Sequence, residues 1–159
     1  MMTDTYFITM TTRGSWLHGD ERGSFERNGK YLPPSIDRFE QDKALLNQPP
    51  FAFTPAMIDV VKQAFQEVAA QRGWKIYALT VQEHHAHVVL WARHEKGENV
   101  RNALKSKATM RLRRANWISP QQEPWTRLGN IIPVRDSVEL NSICQYINNH
   151  PNGAVNEGL

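Results

Sequence analysis

The sequence predicts an α+β fold in which two amphipathic helices cover one antiparallel sheet. Segments rich in β-branched and aromatic residues, typical of strands, are interleaved with segments whose apolar residues recur every three to four positions. These segments come in the order strand, helix, strand, strand, helix, strand, and one further helix follows. This order is the split βαβ arrangement, so four strands are expected to form one sheet with both main helices on the same face.

The first strand is predicted at residues 5–12, where β-branched and aromatic residues dominate. From residue 13 to about residue 53 the periodicity disappears, and the chain contains four glycines and two Pro-Pro pairs. We interpret 13–53 as a long insertion into a single domain that covers residues 1–159, with a short helix around residues 36–46. Insertions of this length in compact domains are often functional.

The first main helix is predicted at residues 54–72. Thr54 suits the N-cap and Pro55 the first helical position, and Gly73 ends the helix. Two strands are then predicted at residues 74–81 and 85–92. The tight turn between them indicates that they pair antiparallel.

The second main helix is predicted at residues 99–115, and the fourth strand at residues 130–134, where a proline indicates a sheet edge or a bulge. Asp136 or Ser137 caps a last helix that ends before Pro151. The complete pattern predicts a ferredoxin-like (RRM-like) fold with a four-stranded antiparallel sheet. Its second face is expected to remain open, as in the sheets on which RNA-recognition modules bind strands.

The composition is that of a soluble globular protein, with 22% charged and 40% hydrophobic residues in 159. A single cysteine excludes an internal disulfide framework and gives no indication of a cysteine-based zinc site. Neither a signal segment nor an apolar run of membrane-spanning length is evident. We therefore expect a cytoplasmic protein without membrane contact.

Two histidines on the third strand form the first candidate site. Alternate strand residues point to the same face, so His85 and His87 are expected to project side by side, while Ala86 points into the apolar layer. Two neutral imidazoles can provide half of a divalent-metal site. The alternative is a pair of polar residues on the solvated face of a half-covered sheet.

The last helix provides the second candidate site. Tyr146 and His150 lie one turn apart on the flank of an apolar stripe. The alternative is that Tyr146 borders the core and that His150 is a cation favoured by the helix dipole. The stripe consists of four residues at helical spacing: Leu140, Ile143, Cys144 and Ile147.

A basic cluster lies on the second main helix. Its six cationic residues have no acidic residue among them, which favours a phosphate-binding flank over an ordinary solvated face. In the loop that follows, Trp117 and Trp125 could stack on unpaired bases or cover the core. The six residues are Arg101, Lys105, Lys107, Arg111, Arg113 and Arg114.

Together these motifs resemble the single-tyrosine HUH nucleases, and more closely the small insertion-sequence transposases of that class and the REP-associated tyrosine transposases. The resemblance spans nearly the whole chain in the same order. It departs from the common pattern at Ala86, where relatives often have Val or Leu, and at His150, where many have Asn or Gln. The motifs that carry it are His84-His85-Ala86-His87-Val88-Val89-Leu90, Tyr146-Ile147-Asn148-Asn149-His150-Pro151 and the early Thr11-Thr12-Arg13-Gly14-Ser15-Trp16.

The resemblance implies a metal-dependent single-stranded DNA nuclease and strand transferase that acts on hairpin-bearing ends through a 5′-phosphotyrosine intermediate. It implies Tyr146 as the nucleophile, and His85, His87 and His150 as ligands of Mg²⁺ or Mn²⁺. His84 and His94 are candidates for the base that activates the tyrosine, by proximity in sequence only.

The implied partners are single-stranded or hairpin DNA and a second copy of the chain in a homodimer, with nucleoid association when DNA is bound. The alternative function is a catalytically inactive single-stranded nucleic-acid-binding domain of the same fold. The residues expected to bind DNA are Arg101, Lys105, Lys107, Arg111, Arg114 and Arg127.

Overall fold

The computed structural model describes residues 2–14, 24–25, 31–32, 51–127, 129–150 and 154–155. Most of the predicted insertion, including the short helix expected around residues 36–46, lies outside the described residues. Within the described ranges, no helix is long and apolar enough to cross a membrane.

Every strand and helix predicted within the described residues is present, and its ends lie within two residues of the prediction. The elements in chain order are β1 Thr5–Thr11, β2 Ser24–Phe25, β3 Tyr31–Leu32, α1 Pro55–Arg72, β4 Lys75–Val81, β5 His85–Trp91, α2 Gly97–Arg114, β6 Asn130–Pro133, α3 Ser137–Asn148 and β7 Ala154–Val155.

The four predicted strands form one antiparallel sheet in the order β6-β1-β5-β4, and the ferredoxin-like prediction is confirmed. The strand with the two histidines, β5, lies at the centre between β1 and β4. The proline-containing strand β6 lies at an edge, where Pro133 does not have to donate to a further strand. A fifth strand, the two-residue β7, was not predicted and extends the opposite edge beside β4. Strands β2 and β3 form a separate two-stranded ribbon.

Local sequence signals set the helix ends. The Thr54 side chain accepts a hydrogen bond from the Met57 backbone N–H at 3.3 Å, and Asp136 caps α3 by accepting from the Glu139 N–H at 2.9 Å. Gly73 ends α1 with a left-handed φ of 73° while its N–H donates to the Ala69 carbonyl. A residue with a Cβ is strained in that conformation.

The main core lies between the sheet and the helices α1 and α2. Alternate residues of β1 and β5 face these helices, whereas the residues between them face the other side. Burying each of these large aliphatic or aromatic side chains contributes roughly 1.5–3 kcal/mol. The fully buried members include Ile8, Met10, Phe65, Val88, Leu90, Leu104 and Leu112.

The second face of the sheet is covered by α3, so the prediction that it remains open was wrong. Leu140, Cys144 and Ile147 on α3 are buried in a second core that includes Ala78 and Val89 of the sheet. The reason is physical, since the apolar stripe of α3 needs a partner and these sheet residues provide an apolar surface of matching size. This packing brings the C-terminal end of α3 over the histidines of β5.

Candidate functional site

Strand geometry places His85 and His87 side by side, as predicted. The face on which they lie was expected to remain open but is covered by α3. Their ring centroids lie 4.8 Å apart. Between them, Ala86 is fully buried in the main core on the other side of the sheet. His87 is paired in register with Thr9 on β1 and with Thr80 on β4, so both neighbours of this histidine along the sheet are small polar residues.

His150 completes a cluster of three imidazoles. It follows the end of α3, and its ring centroid lies 5.0 Å from that of His87 and 6.0 Å from that of His85. One ring nitrogen from each of the three histidines lies within 4.8 Å of the others. The predicted ligand set is therefore brought together, and these three residues could hold a metal ion.

Hydrogen bonds orient two of the three rings. His150 Nδ1 donates to the Tyr146 carbonyl at 2.8 Å, since a carbonyl can only accept, and this leaves the Nε2 lone pair of His150 for a ligand. His87 Nδ1 shares a 2.9 Å hydrogen bond with the Thr9 hydroxyl. A metal-binding histidine normally donates its other ring N–H in this way, which fixes the orientation and the tautomer of the ring. Two of the three candidate ligands therefore have a supporting contact of the kind that orients metal-binding histidines.

Sequence reasoning missed Thr9. Its only sequence signal is alternation along β1, where it shares a face with Phe7 and Thr11. Its pairing with His87 depends on the register between two strands that lie almost eighty residues apart in sequence. That register cannot be read from the sequence of either strand.

Tyr146 lies against the cluster on the exposed side. Its ring centroid is 4.5 Å from that of His150 and 5.5 Å from that of His87. The ring also meets Phe7 edge-on at 6.3 Å, and 48% of the residue surface remains accessible. A half-exposed phenol beside three imidazoles of the same chain can approach a ligand that the imidazoles hold.

The basic residues of α2 divide into two groups. Lys107 and Arg111 form ion pairs with Glu67 of α1, with N···O distances of 3.0 and 3.5 Å. The hydrogen bond from Lys107, above all, lowers the pKa of Glu67. The absence of acidic residues between Arg101 and Arg114 thus did not mean that these cations lack acidic partners. DNA binding by Lys107 and Arg111 stays a prediction.

The second group faces residues 123–127. Lys105 is only 8% exposed, and its Nζ donates to the Thr126 carbonyl at 2.9 Å. Burial, and secondly the charge of Arg101, lowers the pKa of Lys105 from 10.5 to about 8. Arg114 and Arg127 are exposed. Lys105, Arg114 and Arg127 line one cavity beside residues 123–127, and the charge of Arg114 also acts on Glu67.

The two tryptophans have different environments. Trp125 is only 5% exposed and packs on Phe53 and Phe65, so it covers the core and cannot stack on bases. Trp117 is 40% exposed. Of the two alternatives for these residues, core covering therefore holds for Trp125.

Neither predicted base candidate is placed to activate Tyr146. The ring of His84 hydrogen-bonds to the Phe51 carbonyl, with Nδ1 3.2 Å from the oxygen. His94 follows the opposite end of β5, where its ring accepts a hydrogen bond from Arg93. His84 and His94 are close to His85 and His87 in sequence, but their side chains point in other directions because they lie in the turns at the two ends of β5.

The comparisons with known proteins agree with this fold. Residues 50–150 match the family described as "Transposase IS200 like". No curated protein matches the chain. Among solved structures, the chain is similar to a REP-associated tyrosine transposase bound to a REP hairpin, with 12% identity and a TM-score of 0.53 over 90% of this chain and 63% of that one. It is also similar to a protein from Deinococcus radiodurans R1 assigned as a transposase, with 17% identity and a TM-score of 0.53 over 94% of this chain and 92% of that one.

At these identities the two structures bear on the fold alone, and the chain spans 63% of the length of the first. The family match is different in kind, because it covers more than half of the chain, including both β5 and α3. The protein therefore belongs to the family of IS200-like transposases.

Proposed function

We propose that the protein is a metal-dependent single-stranded DNA endonuclease and strand transferase in which Tyr146 is the nucleophile. The observation that carries this proposal is the convergence of one tyrosine and three imidazoles on one end of the sheet. Membership of the IS200-like transposase family supports the same function. The solved relative with a bound REP hairpin supports hairpin-bearing DNA as the substrate.

His85, His87 and His150 would hold the metal. Nitrogen donors suit Mn²⁺ better than Mg²⁺, because Mg²⁺ is a harder cation that prefers oxygen. When bound, the ion would polarise the scissile phosphate and stabilise the negative charge that develops in the transition state. The exposed side of the cluster, beside Tyr146, is where a phosphate can enter.

The chemical step exchanges one phosphate ester for another. The Tyr146 hydroxyl oxygen attacks phosphorus, the bond from phosphorus to O3′ breaks, and the phenolic proton passes to solvent. The leaving O3′ takes up a proton and becomes a free 3′-OH, while the 5′-phosphate remains on the tyrosine. Because an ester bond replaces an ester bond, a 3′-OH can attack the phosphotyrosine and rejoin DNA without an added energy source.

The nucleophile and the ligands belong to the same chain. The buried contacts of Leu140, Cys144 and Ile147 fix α3 on the sheet of its own subunit. We therefore propose that Tyr146 acts on a phosphate held by its own histidines. A homodimer stays a prediction, and this arrangement does not require one.

A test compares Tyr146→Phe with the wild type on labelled hairpin-bearing single-stranded DNA with Mn²⁺ and with Mg²⁺. The variant loses only the hydroxyl, so folding and DNA affinity should be retained while the covalent band on a denaturing gel disappears. Tyr77→Phe is the matched control, because Tyr77 packs against the same second core at a distance from the histidines.

A covalent band from Tyr146→Phe would show that another residue is the nucleophile. If the wild type gives no band with either metal and any hairpin but still binds the DNA, the inactive binding domain is the better description. In that case DNA would have to bind elsewhere than on the flat sheet face, since α3 covers it.

A further inference from the structure

A cavity of about 820 Å³ lies between α2 and residues 123–127, at the edge of the sheet beyond the start of β6. We call it the α2 pocket. Its size is in the range of pockets that accept small-molecule or nucleotide-sized groups. The histidine cluster is not part of its lining.

The lining of the α2 pocket is strongly cationic. Glu123 is the only acid among the described residues that line it, and its carboxylate is paired with Arg113 at 3.0 Å. Five cations with one acid leave an excess of positive charge in a concave site, which favours an anionic occupant. The five cationic lining residues are Arg13, Lys105, Arg113, Arg114 and Arg127.

Polar groups accompany these charges. Asn102 and Ser106 line the same cavity from successive turns of α2, together with Thr109, whose hydroxyl donates to the Lys105 carbonyl. Amide and hydroxyl groups with arginine side chains form the usual donor set for phosphodiester oxygens. Among the described lining residues the aromatic one is Trp125, which is buried in the core and has no exposed face for stacking. The donor set thus fits the backbone of a nucleic acid and not its bases.

The α2 pocket and the histidine cluster lie at the same end of the sheet. Residues 124–126 run antiparallel beside the end of β1, where Thr12 pairs with Trp125 and the Arg13 N–H donates to the Pro124 carbonyl at 2.8 Å. On the histidine side, Thr11 is paired in register with His85. One strand, β1, therefore separates the wall of the pocket from the histidines.

Thr126 contacts both α2, on the side of the pocket, and β1, on the side of the histidines. Its carbonyl accepts from Lys105, and its hydroxyl shares a 2.9 Å hydrogen bond with the Thr11 hydroxyl. Two strand spacings, ~10 Å, separate the backbones of Thr126 and His85. The imidazoles project from the sheet face that α3 covers, whereas α2 packs on the other face, so a bound strand would pass over the sheet edge at residues 124–126 and its path is longer than this backbone distance. At the ~3.4 Å rise per nucleotide of a stacked DNA strand, ~10 Å alone is about three nucleotides.

We propose that the α2 pocket binds a phosphodiester group of the single strand whose scissile phosphate lies at the histidine cluster, a few nucleotides away from it. The identity of the strand rests on the proposed function. Arg127 and Arg114, both exposed, contact the phosphate oxygens, while Lys105 is held in place by Thr126. The pocket fixes which phosphate along the strand reaches Tyr146.

The test is binding of a fluorescein-labelled single-stranded oligonucleotide in EDTA, where cleavage is suppressed. Arg127→Ala and Arg114→Ala are compared with Arg93→Ala, an exposed arginine at the opposite end of β5 that serves as the matched control. Each pocket variant should bind about 5- to 10-fold more weakly and lower the slope of log affinity against log salt by about 0.7, the value of one phosphate contact. Arg93→Ala should change affinity less than twofold.

A scan with single neutral methylphosphonates along the oligonucleotide then locates the contact. At one position, a few nucleotides from the phosphate that becomes linked to Tyr146, the wild type should lose about 5- to 10-fold in affinity and Arg127→Ala should lose nothing further. The pocket proposal would be overturned if Arg127→Ala and Arg93→Ala lost the same DNA affinity. It would also be overturned if the loss from Arg127→Ala added to the loss from the methylphosphonate at every position of the oligonucleotide.

The two proposals fail separately. Binding through the pocket without any phosphotyrosine would overturn the proposed function and leave the α2 pocket as the phosphate site of a binding domain. Formation of the phosphotyrosine with unchanged binding by Arg127→Ala and Arg114→Ala would overturn the pocket alone.

Discussion

Replacing Lys105 with methionine should remove a pH-dependent part of the stability of this protein. The pKa of Lys105 is lowered from 10.5 to about 8 in the folded chain, because burial and then the Arg101 charge disfavour the ammonium. Below pH 8 the lysine is protonated in both the folded and the unfolded chain, so the cost of burying the charge is fully present. Between pH 8 and pH 10.5 only the unfolded chain holds the proton, and stability therefore rises with pH.

The size of the effect follows from the same values. At ~1.4 kcal/mol per pKa unit, the change from 10.5 to about 8 corresponds to roughly 3 kcal/mol in the limit of complete burial. Since Lys105 borders a cavity that solvent can enter, we expect about 2 kcal/mol between pH 7 and pH 10. The charged groups that share the site are Arg101 on α2 and the lining residues Arg13, Arg113, Arg114, Glu123 and Arg127.

Urea unfolding at unit pH steps from pH 7 to pH 10 measures the effect. The difference in unfolding free energy between wild type and Lys105→Met should grow by about 2 kcal/mol in favour of the wild type as the pH rises. Lys105→Arg is the control for packing, because arginine stays charged and its curve should follow that of the methionine variant. Parallel pH curves for the wild type and both variants would refute the account of Lys105 as a buried, desolvated ammonium.

Three further substitutions test separate parts of the structure. Thr9→Val removes the hydrogen bond to His87 and should weaken Mn²⁺ binding by about 10- to 100-fold in calorimetry, while Thr9→Ser retains the hydrogen bond and the affinity. Equal Mn²⁺ affinities for the valine and serine variants would mean that Thr9 does not orient His87. Ile147→Ala should lower the unfolding free energy by about 2–4 kcal/mol in urea, because this side chain is fully buried between α3 and the sheet; a loss below about 1 kcal/mol would contradict that packing. Ala86→Asp buries a charge in the main core and should prevent folding by circular dichroism, whereas a variant with the wild-type melting temperature would place Ala86 at the surface.

The features that sequence reasoning predicted are those that depend on neighbours along the chain. Alternation along β5 was enough to place His85 and His87 on one face, and the spacing of Tyr146 and His150 was enough to place them one turn apart. The caps at Thr54 and Gly73 likewise rest on residues within a few positions. Local geometry of this kind follows from the residues themselves.

The features that it missed depend on pairing between distant segments. Glu67 forms ion pairs with Lys107 and Arg111 because α1 packs beside α2, and no pattern within α2 reveals that neighbour. The contact of Thr9 with His87 depends in the same way on strand register. The second face is covered because α3 packs on it as a whole. Periodicity predicts the apolar stripe of α3 but does not show which surface the stripe packs against.

The docking of α3 makes metal binding and nucleophile placement parts of a single arrangement. Tyr146 and His150 are one turn apart on the same helix end, and the hydrogen bond from the His150 ring to the Tyr146 carbonyl joins them directly. Ile147 lies beside Tyr146 in the chain and is fully buried, so it anchors this end of the helix to the sheet. A displacement of α3 large enough to move the phenol away from the cluster also removes the third imidazole. A metal ion that binds all three histidines therefore stabilises the position from which Tyr146 reaches the phosphate, since binding favours the conformation in which the ligands are together.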